Sequence, residues 1–250
     1  KIERQLIKKT HKFFESKEEK AGTRGIDIAT ILKKKVLDFK EKNILKLMLN
    51  STVIGYYEGK KELLKFGLIK RENYHSKFYE INTKAVIIAC GAMENLILFP
   101  GNDLPGVYGA GAVQTLMNVY GVKPGKKVIM IGAGNVGLIV SYQLLQAGIN
   151  VDRIIEAAPY IGGYHVHAAK LRRCGVPIKT SHTIKEVYGK DKVEGAKIIK
   201  LDNNWNEVSG SEEDIKCDTI CLAVGLTPST RILSQMDVKM KYINEAGGFI

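Results

Sequence analysis

Six residues, Gly132-Ala133-Gly134-Asn135-Val136-Gly137, constrain this chain more than any other stretch of it. An apolar run, KVIMI (127–131), leads into them, and a helical pattern over 136–147 follows. Glycine-rich turns are common in isolation. A G-x-G-x-x-G turn between a buried strand and a helix is the opening of a βαβ unit that cradles a dinucleotide. Each glycine has its own mechanical task there. Gly132 permits the tight turn out of the strand, Gly134 leaves room for a pyrophosphate to approach the backbone, and Gly137 lets helix and strand pack closely. The helix start at Asn135 and Val136 offers unpaired N–H groups and the positive end of the helix dipole to phosphate oxygens. Ala133 completes the turn.

The same unit predicts an acid at the end of its second strand, about 20 residues on, to accept hydrogen bonds from ribose hydroxyls. Glu156 closes the run 151–156, 19 positions after Gly137. A carboxylate there repels a 2′-phosphate, and Ala157, Ala158 and Pro159 supply no cation to attract one, which favours NAD over NADP. The motif by itself leaves NAD and FAD both open, since the two share fold and ribose carboxylate.

The remaining pattern alternates strands with helices, which argues for a parallel sheet and an α/β fold. Residues 26–40 have helical spacing, 44–57 read as one or two short strands, and Lys60 to Glu80 as a solvent-facing hairpin. KAVIIAC (84–90) reads as a short buried strand running into Gly91. FPGNDLPG (99–106) packs two prolines and two glycines into eight positions, the mark of a linker or domain boundary. Beyond it, a helix at 110–120, the βαβ unit, a helix at 166–173 and a strand at 176–180 are predicted. A small antiparallel meander over 183–189, 194–202 and 205–209 and a strand at 218–224 follow.

A formal net charge of +12 raises nucleic acid as a partner, but the excess is mostly lysine dispersed along the chain. An arginine-rich, aromatic-lined face would be the expected footprint. We therefore expect a solvated lysine surface and no nucleic-acid partner. No apolar run approaches the ~20 residues of a membrane helix, so no membrane role is expected. The four cysteines are Cys90, Cys174, Cys217 and Cys221. The last two lie about 13 Å apart along a strand, beyond the ~7 Å that a disulfide spans. Reduced thiols and a cytoplasmic location are expected. His165 and His167 have no acid or cysteine set nearby, so no metal site is expected.

Several segments together resemble the two-dinucleotide flavoproteins of the pyridine nucleotide–disulfide oxidoreductase family. The likeness is to the α subunits of sarcosine oxidase, dye-linked proline dehydrogenase and hydrogen cyanide synthase. The segments are Thr10-His11-Lys12-Phe13-Phe14, Ala21-Gly22-Thr23-Arg24-Gly25, Ala89-Cys90-Gly91-Ala92, FPGNDLPGV (99–107), Gly132–Gly137 and AVGLTP (223–228). The resemblance implies a three-layer Rossmann-like NAD domain (107–230) inserted in an incomplete FAD-binding domain (1–106), with 231–250 returning towards the latter. It implies FAD and NAD as cofactors and hydride transfer between NAD(H) and flavin, with the cofactors carrying the chemistry. The alternative is a non-catalytic, nucleotide-binding subunit of an amine or amino-acid dehydrogenase or oxidase complex. A partner dehydrogenase subunit or a homo-oligomer is expected on the same ground. By resemblance, Ala223 and Gly225 form a cofactor-binding A-x-G strand end, while Ala89, Cys90 and Gly91 pass close to the flavin nucleotide, cysteine standing where relatives carry threonine. Thr23, Arg24 and Gly25 resemble a segment that comes near the FAD. The family's own flavin G-x-G-x-x-G does not precede Lys1 and its Gly-Asp motif does not follow, so an internal fragment is expected.

Overall fold

The computed structural model describes residues 5–12, 22–58, 62–244 and 247–250. Phe13, Phe14 and Ala21, which carry part of the resemblance, lie outside them. The chain divides into two units. The first comprises Asp27–Met93 and Leu226–Ile250 with Lys1–Leu6; the second comprises Ile7–Ile26 and Glu94–Gly225.

In the first unit, helix α1 (Gly25–Glu41) forms where helical spacing predicts it, with Asp27 in its first turn and Lys40 in its last, both matched to the helix dipole. Ala29 is buried, whereas Ile31, Leu32 and Phe39 stay exposed. Strands β1 (Ser51–Tyr57), β2 (Leu64–Glu72) and β3 (His75–Thr83) form an antiparallel sheet in the order β1-β2-β3. The β2–β3 hairpin is the one expected. Its register ends at Glu72↔His75, and Asn73 adopts a φ of 52°, the left-handed conformation that a two-residue hairpin turn demands. Only the second half of 44–57 becomes a strand.

The second unit is built on a parallel sheet. Its elements are β5 (Val107–Gly109), α2 (Ala110–Tyr120), β6 (Lys127–Ile131), α3 (Asn135–Gln146), β7 (Asn150–Ile155), α4 (His165–Arg173) and β8 (Ile178–Lys179). The meander β9 (His182–Tyr188), β10 (Gly195–Lys200) and β11 (Glu213–Lys216) comes next, then β12 (Thr219–Leu222). The sheet order is β5-β12-β6-β7-β8, with parallel pairing throughout. Alternation along each strand sorts side chains into two cores. Val128, Met130, Ile154 and Cys221 pack with Val113, Leu138, Leu144 and Leu171 of the helices. Ile129, Ile131, Ile155, Ile220 and Leu222 pack with Ile184, Val187, Ala196, Ile198 and Ile215 of the meander. Helices, parallel sheet and meander therefore make the three layers of an α/β unit. FPGNDLPG lies inside this unit: Phe99 belongs to the meander core, and Pro100 and Pro105 accept the N–H groups of Val187 and Val193.

The third meander strand differs from the sequence expectation. It is 213–216, not 205–209, because Asp202 captures the intervening residues. Its Oδ1 accepts the N–H groups of Asn204 and Asn206, both at 2.8 Å, and bends 202–206 into a turn with Trp205 at φ 66°.

The chain re-enters the first unit at β13 (Leu226–Pro228) and ends in the β14 (Tyr242–Ile243) and β15 (Gly248–Phe249) pair. Strand β4 (Ala92–Glu94) pairs with β13. Residues 84–90, expected as a buried strand, form none, and Ile87 is 92% exposed. A strand apolar on both faces needs cover on both, and the described residues bring no strand beside it. Where the chain leaves and returns, the Asn95 N–H donates to the Gly225 carbonyl at 3.0 Å. Among the described residues no helix is long and apolar enough to cross a membrane.

Candidate functional site

The glycine turn has the geometry its spacing predicts. Gly132 sits at φ 104°, and its N–H donates to the Ile155 carbonyl at 2.7 Å. A Cβ there would strike the Ala223 carbonyl. Gly134 is the N-cap of α3 at φ −71°, ψ 175°, with no side chain capping the helix and nothing within 4 Å of an added Cβ. The first helical bond runs from the Leu138 N–H to the Gly134 carbonyl at 3.0 Å. The N–H groups of Asn135, Val136 and Gly137 consequently find no backbone or side-chain acceptor among the described residues, and no acid stands in the first turn. Such a helix end presents donors and a positive partial charge to open space. Gly137 is tight: a Cβ would overlap the Gly132 carbonyl oxygen and approach the Ala223 Cβ at 3.3 Å.

Glu156 lies at the end of β7, half-buried, next to this turn. Its Oε2 accepts the Ala133 N–H at 2.7 Å and its Oε1 the Ala158 N–H at 2.9 Å. Backbone bonds to Lys179 and His182 fix the residue from both sides. The carboxylate is thus oriented by the loop it adjoins, and a carboxylate oxygen accepts more than one hydrogen bond. A contact that the spacing did not predict completes the loop. Gly163 donates its N–H to the Ala133 carbonyl at 2.9 Å, and Tyr164 its N–H to Asn135 Oδ1 at 2.7 Å. A Cβ on Gly163 would lie 2.9 Å from the Gly134 carbonyl carbon. The missing side chain of Gly163 is what permits this close approach.

The sheet order reverses between β6 and β12, which makes their carboxyl ends a topological switch point, where open α/β sheets bind ligands. Ala223 donates its N–H to the Ile131 carbonyl at 2.7 Å, and Gly225 follows at φ 119° beside the Asn95 side chain. Residues 132–137, Glu156, Ala223 and Gly225 are therefore gathered at the carboxyl end of the parallel sheet. Glu94 was missed by the sequence reading. Its Oε1 accepts the Gly111 N–H at 2.5 Å and so caps α2, where Gly109 and Gly111 leave room for the carboxylate.

The other candidates lie elsewhere. Thr23, Arg24 and Gly25 belong to the second unit, where Arg24 pairs with Lys12 in a β-bridge and the Gly25 N–H donates to the His11 carbonyl. Arg24 lines a cavity over α3 and α4 whose walls include no residue of the glycine turn. Ala89, Cys90 and Gly91 stand exposed in the first unit, Gly91 at φ 74° with open space at its Cα. His165 and His167 open α4, and burial, then Lys170, lowers the proton affinity of His167. Cys90 and Cys174 are exposed; Cys217 and Cys221 are buried. Burial, with Asp218 adding to it, pushes the Cys217 thiol up to about 12, and burial drives Cys221 up as well.

Comparison with known proteins places this geometry among its relatives. The family model described as pyridine nucleotide-disulphide oxidoreductase matches residues 4–249. The sarcosine oxidase subunit alpha of Rhizobium meliloti (strain 1021) is 26% identical over 216 residues, 82% of this chain and 20% of that subunit. The hydrogen cyanide synthase subunit HcnB of Pseudomonas protegens is 24% identical over 226 residues, 83% of this chain and 46% of that one. The fold is similar to the crystal structure of T. acidophilum thioredoxin reductase, with a TM-score of 0.71 at 20% identity, covering 95% of this chain and 72% of that one. The chain thus spans less than half the length of these two curated relatives.

Proposed function

The chain belongs to the pyridine nucleotide-disulphide oxidoreductase family, and on that premise we propose that it serves an FAD-dependent oxidoreductase in which hydride passes between NAD(H) and flavin. The observation that carries the reading is the open helix end at Gly134 with Glu156 beside it. Three bare N–H groups and an unfilled space at Gly134 suit a diphosphate, and the adjoining carboxylate suits ribose hydroxyls. The site fits a dinucleotide. In this reading the N–H groups of Asn135, Val136 and Gly137 hold the phosphates, and Glu156 accepts from the ribose while the Ala133 N–H keeps it aimed. Ala223 and Gly225 form the opposite wall of the crevice. NAD is favoured over NADP because Glu156 is followed by Ala157, Ala158 and Pro159, none of which offers a cation.

The flavin part rests on the family and on the resemblance of Ala89, Cys90 and Gly91, with Thr23, Arg24 and Gly25, to flavin-adjacent segments. Gly91 supports it by presenting an open, left-handed backbone that a ligand can approach. When bound, nicotinamide and flavin supply the redox chemistry; binding and orientation are what these residues contribute. A second reading is a nucleotide-binding, non-catalytic subunit of an amine or amino-acid dehydrogenase or oxidase complex. It is favoured by relatives whose names are those of subunits, sarcosine oxidase subunit alpha and hydrogen cyanide synthase subunit HcnB. Tryptophan and nicotinamide fluorescence during titration with NADH and NADPH tests the dinucleotide site: saturable, NADH-selective binding is expected, and absence of binding refutes it. Bleaching of added FAD by NADH separates the catalytic reading from the second one.

A further inference from the structure

The second unit contains a cavity of about 250 Å³ that the NAD site does not use, although Arg24 on its rim also belongs to the flavin part of the proposed function. Its floor is apolar, made by Leu138, Ile139 and Tyr142 of α3 and Val166 of α4. Its rim carries Lys12, Arg24 and Lys170, and among the described residues no carboxylate lines it. We propose that this cavity is a binding site for a small organic anion, apolar body on the α3–α4 floor and acid group towards Lys12 and Arg24.

Two features make it a built site. A buried relay holds the wall: Gln114 Nε2 donates to Gln143 Oε1 at 2.9 Å, and Gln143 Nε2 donates to Thr10 Oγ1 at 2.8 Å. Buried polar groups satisfied in series rigidify what they join, and here they join α2, α3 and the strand-like segment bearing Lys12. Lys170 is likewise held, its Nζ 4.2 Å from the Tyr142 ring centroid in a cation–π contact. Among the described residues the charges are also unbalanced. His11, which shares the lining, is kept neutral by burial and then by Lys9 and His167, its pKa lowered to about 4. Among the described lining residues the positive charge at neutral pH therefore comes from the two lysines and the arginine, and a low-dielectric concavity with an excess of one sign of charge concentrates counter-ions. Arginine pairs with carboxylate or phosphate in a planar, two-bonded fork. The volume lies just below the ~300 Å³ at which drug-sized ligand pockets begin, which limits the occupant to a small molecule.

Benzoate and phenyl phosphate are suitable probes, with benzyl alcohol as the neutral match, followed by methyl NMR on the full chain. Saturable shifts of the Leu138, Ile139 and Val166 methyls by either anion are expected, at least tenfold weaker for benzyl alcohol, and the tighter of the two anions identifies the acid class. Lys12 and Arg24 are exposed, so Lys12→Gln and Arg24→Gln should keep the native spectrum while weakening the anion at least fivefold each. No saturation by either anion, equal binding of benzyl alcohol, or unchanged affinity in both variants overturns the proposal. So does displacement of the probe by NADH or by FAD, which would locate the anion in a cofactor crevice. Probe binding in a protein that ignores NADH upholds this site while removing the dinucleotide reading.

Discussion

Two glycines of the same motif, Gly134 and Gly137, should fail in opposite ways when each receives a side chain. At Gly134 an added Cβ meets nothing within 4 Å, and φ −71° with ψ 175° is open to any L residue. Alanine or valine there should change stability by less than ~1 kcal/mol, the scale on which a weaker N-cap and a stiffer unfolded chain offset each other. The same side chain projects into the space from which a diphosphate would reach the α3 amides. A charge-assisted hydrogen bond contributes about 1.5–3 kcal/mol, so losing one weakens binding by roughly ten- to a hundredfold. At Gly137 the Cβ would overlap the Gly132 carbonyl oxygen, backbone that moves only if the turn moves. Overpacking of this kind costs about 1–3 kcal/mol or more, a large share of a domain's ~5–15 kcal/mol. The assay pairs NADH fluorescence titration with thermal melts of wild type, Gly134→Val and Gly137→Ala. Native melting with lost affinity is expected for the first variant and lowered melting for the second. A Gly134→Val protein that melts normally and binds NADH as tightly as wild type would refute the reasoning.

Glu156→Gln should weaken NADH binding about tenfold, since one accepting oxygen becomes a donor facing the Ala133 or Ala158 N–H; the ratio of NADH to NADPH affinity, read by the same titration, should fall. Gly163→Ala should lower both melting temperature and NADH affinity, because the new methyl would press on Leu138 Cδ1 at 2.6 Å and on the Gly134 backbone. In native buffer Cys90 and Cys174 should react rapidly with a disulfide reagent, while Cys217 and Cys221 should react only on unfolding, and the count of thiols before and after denaturant checks it. Folded His11 takes its proton near 4, whereas an unfolded histidine does so near 6.5. Unfolding therefore takes up a proton between those values: the stability this contributes is complete above pH ~6.5 and drains away as pH falls towards 4. Melts of wild type and His11→Asn over that range should show a shallower acid slope in the variant.

What was legible in the sequence was whatever depended on local pattern. The helix at 110–120 and the strand at 127–131 form within the limits read from apolar spacing and from Gly121, because their stop signals are chemical and local. The glycine turn and Glu156 were found because their spacing is set by the length of one helix and one strand. The family resemblance agrees with the family model and the relatives it is similar to. Other features depended on partners distant in the chain. KAVIIAC has the composition of a strand, but composition cannot supply neighbours, and 84–90 stay unpaired. The third meander strand moved from 205–209 to 213–216 because one side chain, Asp202, outbid the ladder for two N–H groups. Glu94 on the α2 N-terminus, Gly163 on the glycine turn and the Gln114–Gln143–Thr10 relay join residues up to 133 positions apart, beyond the reach of any periodicity.

The bond between Asn95 and Gly225 bears on how such a module can be moved between hosts. More than a hundred residues separate these two positions, yet the path starts and finishes at one spot. A recipient fold would experience residues 95–225 as a surface loop already closed, so grafting them costs little chain entropy, with Ile7–Ile26 of the same unit supplied alongside. Modules with touching ends are portable, and this one carries its doorway with it.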